Sequence, residues 1–349
     1  MRKTRLLCAV LALTILFSGC TQTKPVESVI HTGSSSETSQ TTTEETAVET
    51  TKEPEPFTFN PHVHTTLLSE IVTEDMWKSL YNLVDAIRAG EDTFKCTDEA
   101  AYKWCTDEVT IGHFYPPACT FVAGAGFENG TGKLKYKMDK DKLAARNKAF
   151  EEEIVRMLNE ATRSDYSDFE KLMSLYDYMC KNWVYDYSPL DGQGIDDFSD
   201  YACLTKKNGI CCEIAGAFAY LLLQCGVEAT PMGTSCEHDW TYVVIGGKGY
   251  HCDATWGVHG DDPDQAVTLQ YFMMTEAERL PQLQNGDQLQ VTLIWPWKEK
   301  YDLSRFSATD ETFKAFHEPA VFVSMDTEKN VIKYQNANGE DRELSYGDL

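Results

Sequence analysis

Two adjacent cysteines, Cys211 and Cys212, stand at the start of an apolar stretch of helical period. Cys211 lies three- or four-residue steps from members of the apolar stripe, which predicts that it faces the core, whereas Cys212 projects to another face. A helix N-terminus offers unpaired N–H groups and partial positive charge, and both favour a thiolate. One cysteine is therefore a candidate nucleophile. The alternative is that both are inert packing residues. The stripe that sets this projection is Ile214, Ala215, Phe218, Leu221, Leu222 and Cys225, followed by the helix-ending Gly226.

A thiolate nucleophile needs a histidine within hydrogen-bond reach and a third group that orients it. His238 opens one predicted strand, in HDWTYVVIGG, and Asp253 lies in the next, in GYHCDATW. Glu237 is a competing acid and His251 a competing base, because both are close in sequence to the same predicted strands. The sequence therefore predicts a Cys–His–acid site with these alternatives open.

The register of the two predicted strands brings this histidine and aspartate together. If Gly246-Gly247 is a two-residue turn, Ile245 faces Lys248. Counting outward, Asp253 falls opposite Trp240, and the histidine lies diagonal to it on the same face. Diagonal pairs have Cα atoms about 7–8 Å apart, within reach of a His–carboxylate hydrogen bond.

Residues 1–19 have the organisation of a secretory signal, with three basic residues before the apolar stretch 6–17. That stretch is too short to span a bilayer, which takes about 20 residues. FSGC (17–20) resembles a bacterial lipobox, which implies cleavage before Cys20 and lipidation of its sulfur. Plain secretion is the alternative. We expect a folded part outside the cell, held at the membrane by the lipid anchor alone.

Composition separates a stalk from a folded part. Residues 20–56 are dominated by Ser, Thr and Glu and contain no aromatic residue. Such a segment buries too little apolar surface to offset its ordering entropy, so we predict disorder. Residues 57–349 are long enough for one large domain or two small ones. A net charge of -24 repels nucleic acid and anionic surfaces, which argues against DNA, RNA and lipid headgroups as substrates.

The 12 cysteines do not follow the C-x-x-C spacing of zinc sites. We therefore expect neither a metal nor another cofactor. An exported chain usually oxidises its cysteines. A single sequence fixes no pairing, so a disulfide set and reduced thiols both stay open.

Periodicity predicts helices over 66–90 and 142–160, and a further helix from Ser167, where Ser-x-x-Glu forms a capping box. NGTGKLKYKM (129–138) predicts a hairpin followed by a strand, and the tail 319–347 predicts a β meander. The predicted organisation is an α/β N-terminal extension at 57–160, a core at 161–280 and a β-rich C-terminal extension at 281–349.

The region from about 165 to 275 resembles the transglutaminase-like superfamily, whose core is that of papain-like cysteine proteases. By this resemblance Cys211 matches the nucleophile, His238 the general base and Asp253 the orienting acid. The implied fold is α+β, with the helix that carries Cys211 packed on an antiparallel sheet. The matching segments are Gly209-Ile210-Cys211, His238-Asp239-Trp240, Asp253-Ala254-Thr255-Trp256, EKLMSLYDYMCKNWVYD (170–186) and YACL (201–204).

The resemblance implies a cell-surface enzyme that acts on amide bonds through an acyl-thioester, with a protein or peptide substrate such as cell-wall peptide. Water as the acceptor gives a peptidase or amidase, and an amine gives a transglutaminase. Family members often carry Gly two residues after the nucleophile, where Glu213 stands here, and its charge opposes thiolate formation. A Cys211–Cys212 disulfide would abolish activity. The alternative function is an inactive module that binds surface protein or cell-wall polymer through Trp240 and Trp256. The oligomeric state stays open.

Overall fold

An almost wholly apolar helix, Cys211–Gln224, lies at the centre of the fold. Every residue from Glu213 to Gln224 is buried. A helix without a solvent-facing side has to be enclosed by other elements. Here two strands, Ala229–Thr234 and Asp239–Ile245, pack on it, together with the helices Asp168–Asn182 and Asp200–Lys206.

The computed structural model describes residues 53–188, 199–234, 238–260, 262, 264–282, 289–291, 303–347 and 349. The predicted signal at 1–19, Cys20 and most of the predicted stalk lie outside these residues. The helices are α1 Glu74–Ala89, α2 Glu99–Cys105, α3 Glu108–Phe114, α4 Lys140–Ala161, α5 Asp168–Asn182, α6 Asp200–Lys206, α7 Cys211–Gln224 and α8 Glu276–Arg279. The strands are β1 Thr93–Lys95, β2 Val122–Glu128, β3 Thr131–Tyr136, β4 Val184–Tyr185, β5 Asn208–Gly209, β6 Ala229–Thr234, β7 Asp239–Ile245, β8 Lys248–Cys252, β9 Leu289–Val291, β10 Val321–Asp326, β11 Val331–Gln335 and β12 Asp341–Ser345.

The sheet beneath α7 is antiparallel, with strand order β8-β7-β6-β9. β7 and β8 form a hairpin in which Ile245 pairs with Lys248, so the predicted register is confirmed. The turn residues Gly246 and Gly247 have φ values of 56° and 75°, in the left-handed region that a two-residue hairpin turn of this kind requires. The candidate base and acid lie at the open end of this hairpin, opposite the turn.

Close approach of α6 to α7 depends on Gly216. A Cβ at this position would lie 2.6 Å from the Asp200 carboxylate, which is nearer than a real contact allows. The small residues of α7 therefore let the start of α6 pack directly against the first turns of the helix that carries Cys211.

Residues 54–349 form one compact unit.

Helix α1 is shorter than periodicity predicts. The interval predicted as one helix, 66–90, contains a single 3-10 turn at Thr66–Leu68 and then α1, which begins at Glu74. The Thr73 hydroxyl accepts the N–H of Met76 and starts the helix there, because a side-chain cap fixes a helix start more strongly than a periodic pattern does. Gly90 ends α1 with φ of 70°, as predicted.

The other predicted elements are present. Helix α4 contains the predicted interval 142–160, and α5 opens with the predicted capping box between Ser167 and Glu170. β2 and β3 form the predicted hairpin around residues 129–130, and β10, β11 and β12 form the predicted meander at the C-terminal end. Among the described residues, none of the helices combines the length and apolarity needed to cross a membrane.

Candidate active site

The N-terminus of α7 is held by a buried carboxylate. Ile210 occupies the N-cap position and has no side-chain oxygen to accept an N–H. The carboxylate of Glu213 makes up for this, since it accepts the N–H of Ile210 at 3.1 Å and the N–H of Ser199 at 2.7 Å. Cys211, the first residue of the helix, is thereby fixed at a helix N-terminus beside the start of α6.

Glu213 also contributes charge next to the thiol. Burial raises the pKa of this carboxyl to about 7, the two N–H groups oppose the rise, and the nearby Asp200 and Cys211 add to it. The carboxyl therefore changes its charge near neutral pH. Its ionised form opposes the Cys211 thiolate, in the direction that the sequence predicts.

His238 and Asp253 lie at the open end of the β7–β8 hairpin. His238 immediately precedes β7, and Asp253 immediately follows β8. The imidazole Nε2 is 2.6 Å from Oδ2 of Asp253, whose side chain is completely buried. The structure therefore brings the predicted base and acid into direct contact.

Both groups lie one residue outside the strands in which the sequence predicts them. The ladder between β7 and β8 ends at the pair Thr241–Cys252. The N–H of Asp253 donates instead to the C=O of Tyr271 at 2.8 Å, and the C=O of His238 accepts the N–H of Thr234 at 2.9 Å. These bonds to other segments end the hairpin and turn both side chains toward α7.

The thiol of Cys211 and the imidazole of His238 face each other. The pKa of the Cys211 thiol is lowered, first by a hydrogen bond from Cys212 and then, against burial, by His238. Burial works against a charged imidazole, but the Asp253 carboxylate and the Cys211 thiol outweigh it and raise the pKa of His238 to about 9. The arrangement therefore favours a thiolate–imidazolium pair between the two pKa values, about 4 for Cys211 and about 9 for His238.

The two cysteines divide the roles of acceptor and donor. Their mutual hydrogen bond, together with burial, raises the pKa of Cys212 well above the usual thiol range. The Cys212 S–H therefore donates toward the Cys211 sulfur and stabilises its thiolate. Cys211 itself is half-buried rather than turned into the core as its helical projection predicts. The first turn of α7 lies at the edge of the sheet, where the side chain meets His238 instead of the apolar interior.

An exposed tryptophan covers the histidine. Trp256 is 58% exposed, and its indole N–H lies 2.8 Å from Nε2 of His238, the same atom that contacts Asp253. An indole N–H only donates, so it can bind Nε2 only when that nitrogen carries no proton. The Asp253 contact needs the proton on Nε2. The two contacts therefore suit different protonation states of His238.

Two further aromatic residues lie near the candidate nucleophile. The phenol of Tyr185 in β4 faces the thiol and the backbone N–H of Cys211, and burial raises the pKa of this hydroxyl. The ring of Tyr187 packs edge-on against that of Tyr185, with centroids 5.0 Å apart. Trp256 packs against Tyr271, with centroids 5.6 Å apart. Aromatic side chains therefore lie near both the thiol and the imidazole.

Sequence reasoning missed Arg279, the last residue of α8. Its Nη2 is 3.4 Å from Oδ2 of Asp253, and its side chain is 2% exposed. Its guanidinium carbon lies 4.1 Å from the ring centroid of Trp240. Arg279 belongs to no recognisable sequence motif. Because arginine side chains are mostly exposed in proteins, its sequence context gives no sign that it is buried.

The competing base, His251, does not face the thiol. It is completely buried, and its Nδ1 accepts the indole N–H of Trp240 at 2.9 Å. Burial lowers its pKa to about 3, and Arg279 adds to this effect, so the ring stays neutral. The competing acid, Glu237, lies outside the described residues. The alternative in which His251 is the base is therefore wrong.

The nine cysteines of the described part of the chain are present as thiols. In the same ranges, no group of three or more His, Cys, Asp or Glu side chains is arranged to hold a metal ion.

The fold and the site define a class: an α+β protein in which a cysteine at a helix N-terminus faces a His–Asp pair on an antiparallel hairpin. Residues 155–259 match the family model of the transglutaminase-like superfamily. The matched segment contains Cys211, His238 and Asp253.

Solved structures with similar chains include a candidate cysteine protease from Cytophaga hutchinsonii, with 13% identity over 39% of this chain and 62% of that one, at a TM-score of 0.24. A second, described as a TGase, has 15% identity over 42% of this chain and 48% of that one, at a TM-score of 0.28. The match thus spans less than two thirds of either of these chains. A comparison with curated proteins finds no match.

Proposed function

We propose that the chain is a cysteine-dependent amide-bond enzyme that works through an acyl-thioester on Cys211. The observation that carries this proposal is the direct contact between His238 and Asp253, 2.6 Å apart, beside a thiol of lowered pKa at a helix N-terminus. A nucleophile, a base and an orienting group in this order are the arrangement that cysteine- and serine-based acyl transfer commonly uses.

The first half of the reaction forms the thioester. The Cys211 thiolate attacks the carbonyl carbon of the amide, and the oxygen takes up the negative charge. The imidazolium of His238 then gives its proton to the departing nitrogen, so the C–N bond breaks and an amine leaves. The ring is now neutral, and Asp253 keeps its orientation fixed through Nε2.

The oxyanion needs donors at the mouth of α7. The backbone N–H of Cys211 is one: it has no partner within the helix, and the substrate oxygen would replace the Tyr185 oxygen to which it now donates. Tyr185 supplies a hydroxyl beside that N–H and the thiol, and we assign it as the second donor. Both donors precede or begin α7, so they are fixed before substrate binds.

The second half transfers the acyl group. His238 takes a proton from water or from a primary amine, the resulting nucleophile attacks the thioester, and the thiolate leaves. Water gives a carboxylic acid, as in a peptidase or amidase. An amine gives a new amide, as in a transglutaminase. The substrate in this proposal is a protein or peptide, including cell-wall peptide.

Acyl-enzyme trapping tests the proposal on the full chain. The chain is mixed with N-blocked glutaminyl and alanyl peptide amides, quenched in acid and digested for mass spectrometry. We expect an acyl adduct on the peptide that contains Cys211. Addition of a primary amine then separates transfer from hydrolysis, because only transfer incorporates the amine. If neither an adduct nor turnover appears with any peptide, the inactive binding module becomes the better description.

We further propose that Cys20 carries a lipid and that the folded part stands outside the cell at the end of the 20–56 stalk. The support is the signal-like organisation of residues 1–19 and the FSGC segment. Changing Cys20 to Ser should move the protein from the membrane fraction to the medium or soluble fraction. Cys8→Ser, within the signal itself, is the matched control and should leave the fractionation unchanged. Retention of the Cys20→Ser protein in the membrane fraction would contradict the anchor.

A further inference from the structure

Arg279 places a positive charge behind the proposed catalytic groups. Its side chain is 2% exposed and that of Asp253 is 0% exposed, with Nη2 and Oδ2 3.4 Å apart. Isolated charges are strongly disfavoured in such an environment, whereas paired ones are tolerated. Four groups of alternating charge follow one another here, from the Cys211 thiolate through His238 and Asp253 to Arg279. Their sum is zero when the thiolate–imidazolium pair is present.

The arginine is also fixed in place by an aromatic ring. Its guanidinium carbon lies 4.1 Å from the centroid of the Trp240 ring. That ring is nearly parallel to His238, with an interplanar angle of 26° and centroids 6.2 Å apart. Trp240 in turn donates its indole N–H to His251. Arg279 therefore contacts two of the groups that surround the imidazole, one by charge and one by stacking.

We propose that Arg279 is a positioning residue that balances the charge of Asp253 and sets the pH range in which the thiolate–imidazolium pair exists. This inference rests on the proposed function, since it assigns the pair to Cys211 and His238. A group that acts through Asp253 in this way need not touch the substrate. Its signature is a change in pH dependence rather than a loss of rate alone.

The sign of the effect follows from electrostatics. A positive charge disfavours proton binding at every group near it, so removing it raises the pKa of both Cys211 and His238. At an effective dielectric constant of about 20, a charge some 10 Å away shifts a pKa by on the order of one unit. Trp256 is a neutral donor to His238. The other charged or titratable neighbours of these groups are His251, kept neutral by burial, Tyr271, Tyr185, Cys212, Asp239 and Glu213, and, around Asp253, Tyr176, Cys180 and Cys252. On α8 itself, Glu278 is bound to His317 at 2.8 Å, and Glu276 lies in the first turn.

The test uses alkylation of Cys211 by iodoacetamide in the full chain, followed at the peptide level by mass spectrometry between pH 4 and pH 10. The wild-type rate should show a lower step as the thiolate forms and an upper step near pH 9 as the imidazolium loses its proton. In Arg279→Met both steps should move up by about one pH unit. In Arg279→Lys, which keeps the charge, both should lie close to the wild type. Arg88→Met is the matched control, because it removes one arginine from an ion pair with Glu151 on other elements and should move neither step.

Each outcome decides the question. The proposal would be overturned if both steps of the alkylation profile in folded Arg279→Met lay within about 0.2 pH unit of the wild type. It would also be overturned if the steps moved equally in Arg279→Lys and Arg279→Met. If Arg279→Met does not fold, Arg279→Gln replaces it, because glutamine retains N–H donors toward Asp253. If neither variant folds, the role of Arg279 is structural only. Should wild-type Cys211 react no faster than an ordinary thiol, the proposed function fails independently of Arg279.

Discussion

Replacing Cys211 with alanine should abolish amide turnover, whereas replacing Cys212 should not. The nucleophile forms the covalent bond in the proposed reaction, so its loss should lower kcat/KM by at least about 10³-fold. Cys212 only donates a hydrogen bond to the Cys211 sulfur. In Cys212→Ala that bond is gone, the pKa of Cys211 rises, and the acid limb of the pH profile should move up. Turnover at pH 8 should stay within about 10-fold of the wild type.

A third variant controls for the loss of a buried thiol. Cys225 is buried at the C-cap of the same helix, away from His238, so Cys225→Ala should change neither rate nor pH profile. Each variant is compared by circular dichroism before the kinetics, because truncating a buried cysteine costs about 1–2 kcal/mol of unfolding free energy. If Cys212→Ala is inactive and Cys211→Ala is active, the nucleophile is the second cysteine.

Asp253→Asn should remove most of the activity and shift the pH dependence downward. The Asp253 carboxylate is the principal group that raises the pKa of His238 against burial. Without its charge, the histidine pKa should fall well below about 9, because burial is then opposed by the Cys211 thiolate without the carboxylate. The imidazolium is then lost at neutral pH, and the thiolate loses its counter-ion. We expect kcat/KM to fall by about 10²–10⁴-fold, and the alkaline limb to move to lower pH.

This variant removes the carboxylate charge that faces the buried Arg279 guanidinium at 3.4 Å, which should lower the free energy of unfolding by up to about 3–5 kcal/mol. The double variant Asp253→Asn with Arg279→Met removes both charges and should recover part of that stability without recovering activity. Asp310→Asn is the control for a lost carboxylate that binds the same sheet from outside, since Asp310 pairs with Lys248 of β8 at 2.7 Å near the turn. An alkaline limb that stays near pH 9 in Asp253→Asn would show that another group holds the imidazole.

The hairpin that ends at His238 and Asp253 could be predicted because its register follows from local chemistry. A Gly246-Gly247 turn allows one pairing of Ile245 with Lys248, and that pairing fixes the neighbours of His238 and Asp253. The helix start was also predictable from the apolar stripe. The orientation of Cys211 was not, because a first-turn residue is placed by what lies beside the helix mouth as much as by the stripe.

Features that depend on distant segments could not be predicted. Arg279 is separated from Asp253 by a long connection, and only the tertiary fold brings its guanidinium onto Trp240. The burial of the Glu213 carboxylate depends on the N–H of Ser199, which belongs to a separate segment. The break between residues 68 and 74, by contrast, depends on a local cap at Thr73, which apolar periodicity does not reveal.

The placement of His238 and Asp253 on one hairpin has a mechanical consequence. Since one rigid β-ribbon carries both groups at its open end, a fluctuation of that ribbon relative to α7 displaces the imidazole and the carboxylate together. Their 2.6 Å contact survives such a motion, and only the gap to the sulfur on the separate helix changes. The sulfur–imidazole separation is thus one coordinate through which strain elsewhere in the molecule can tune reactivity.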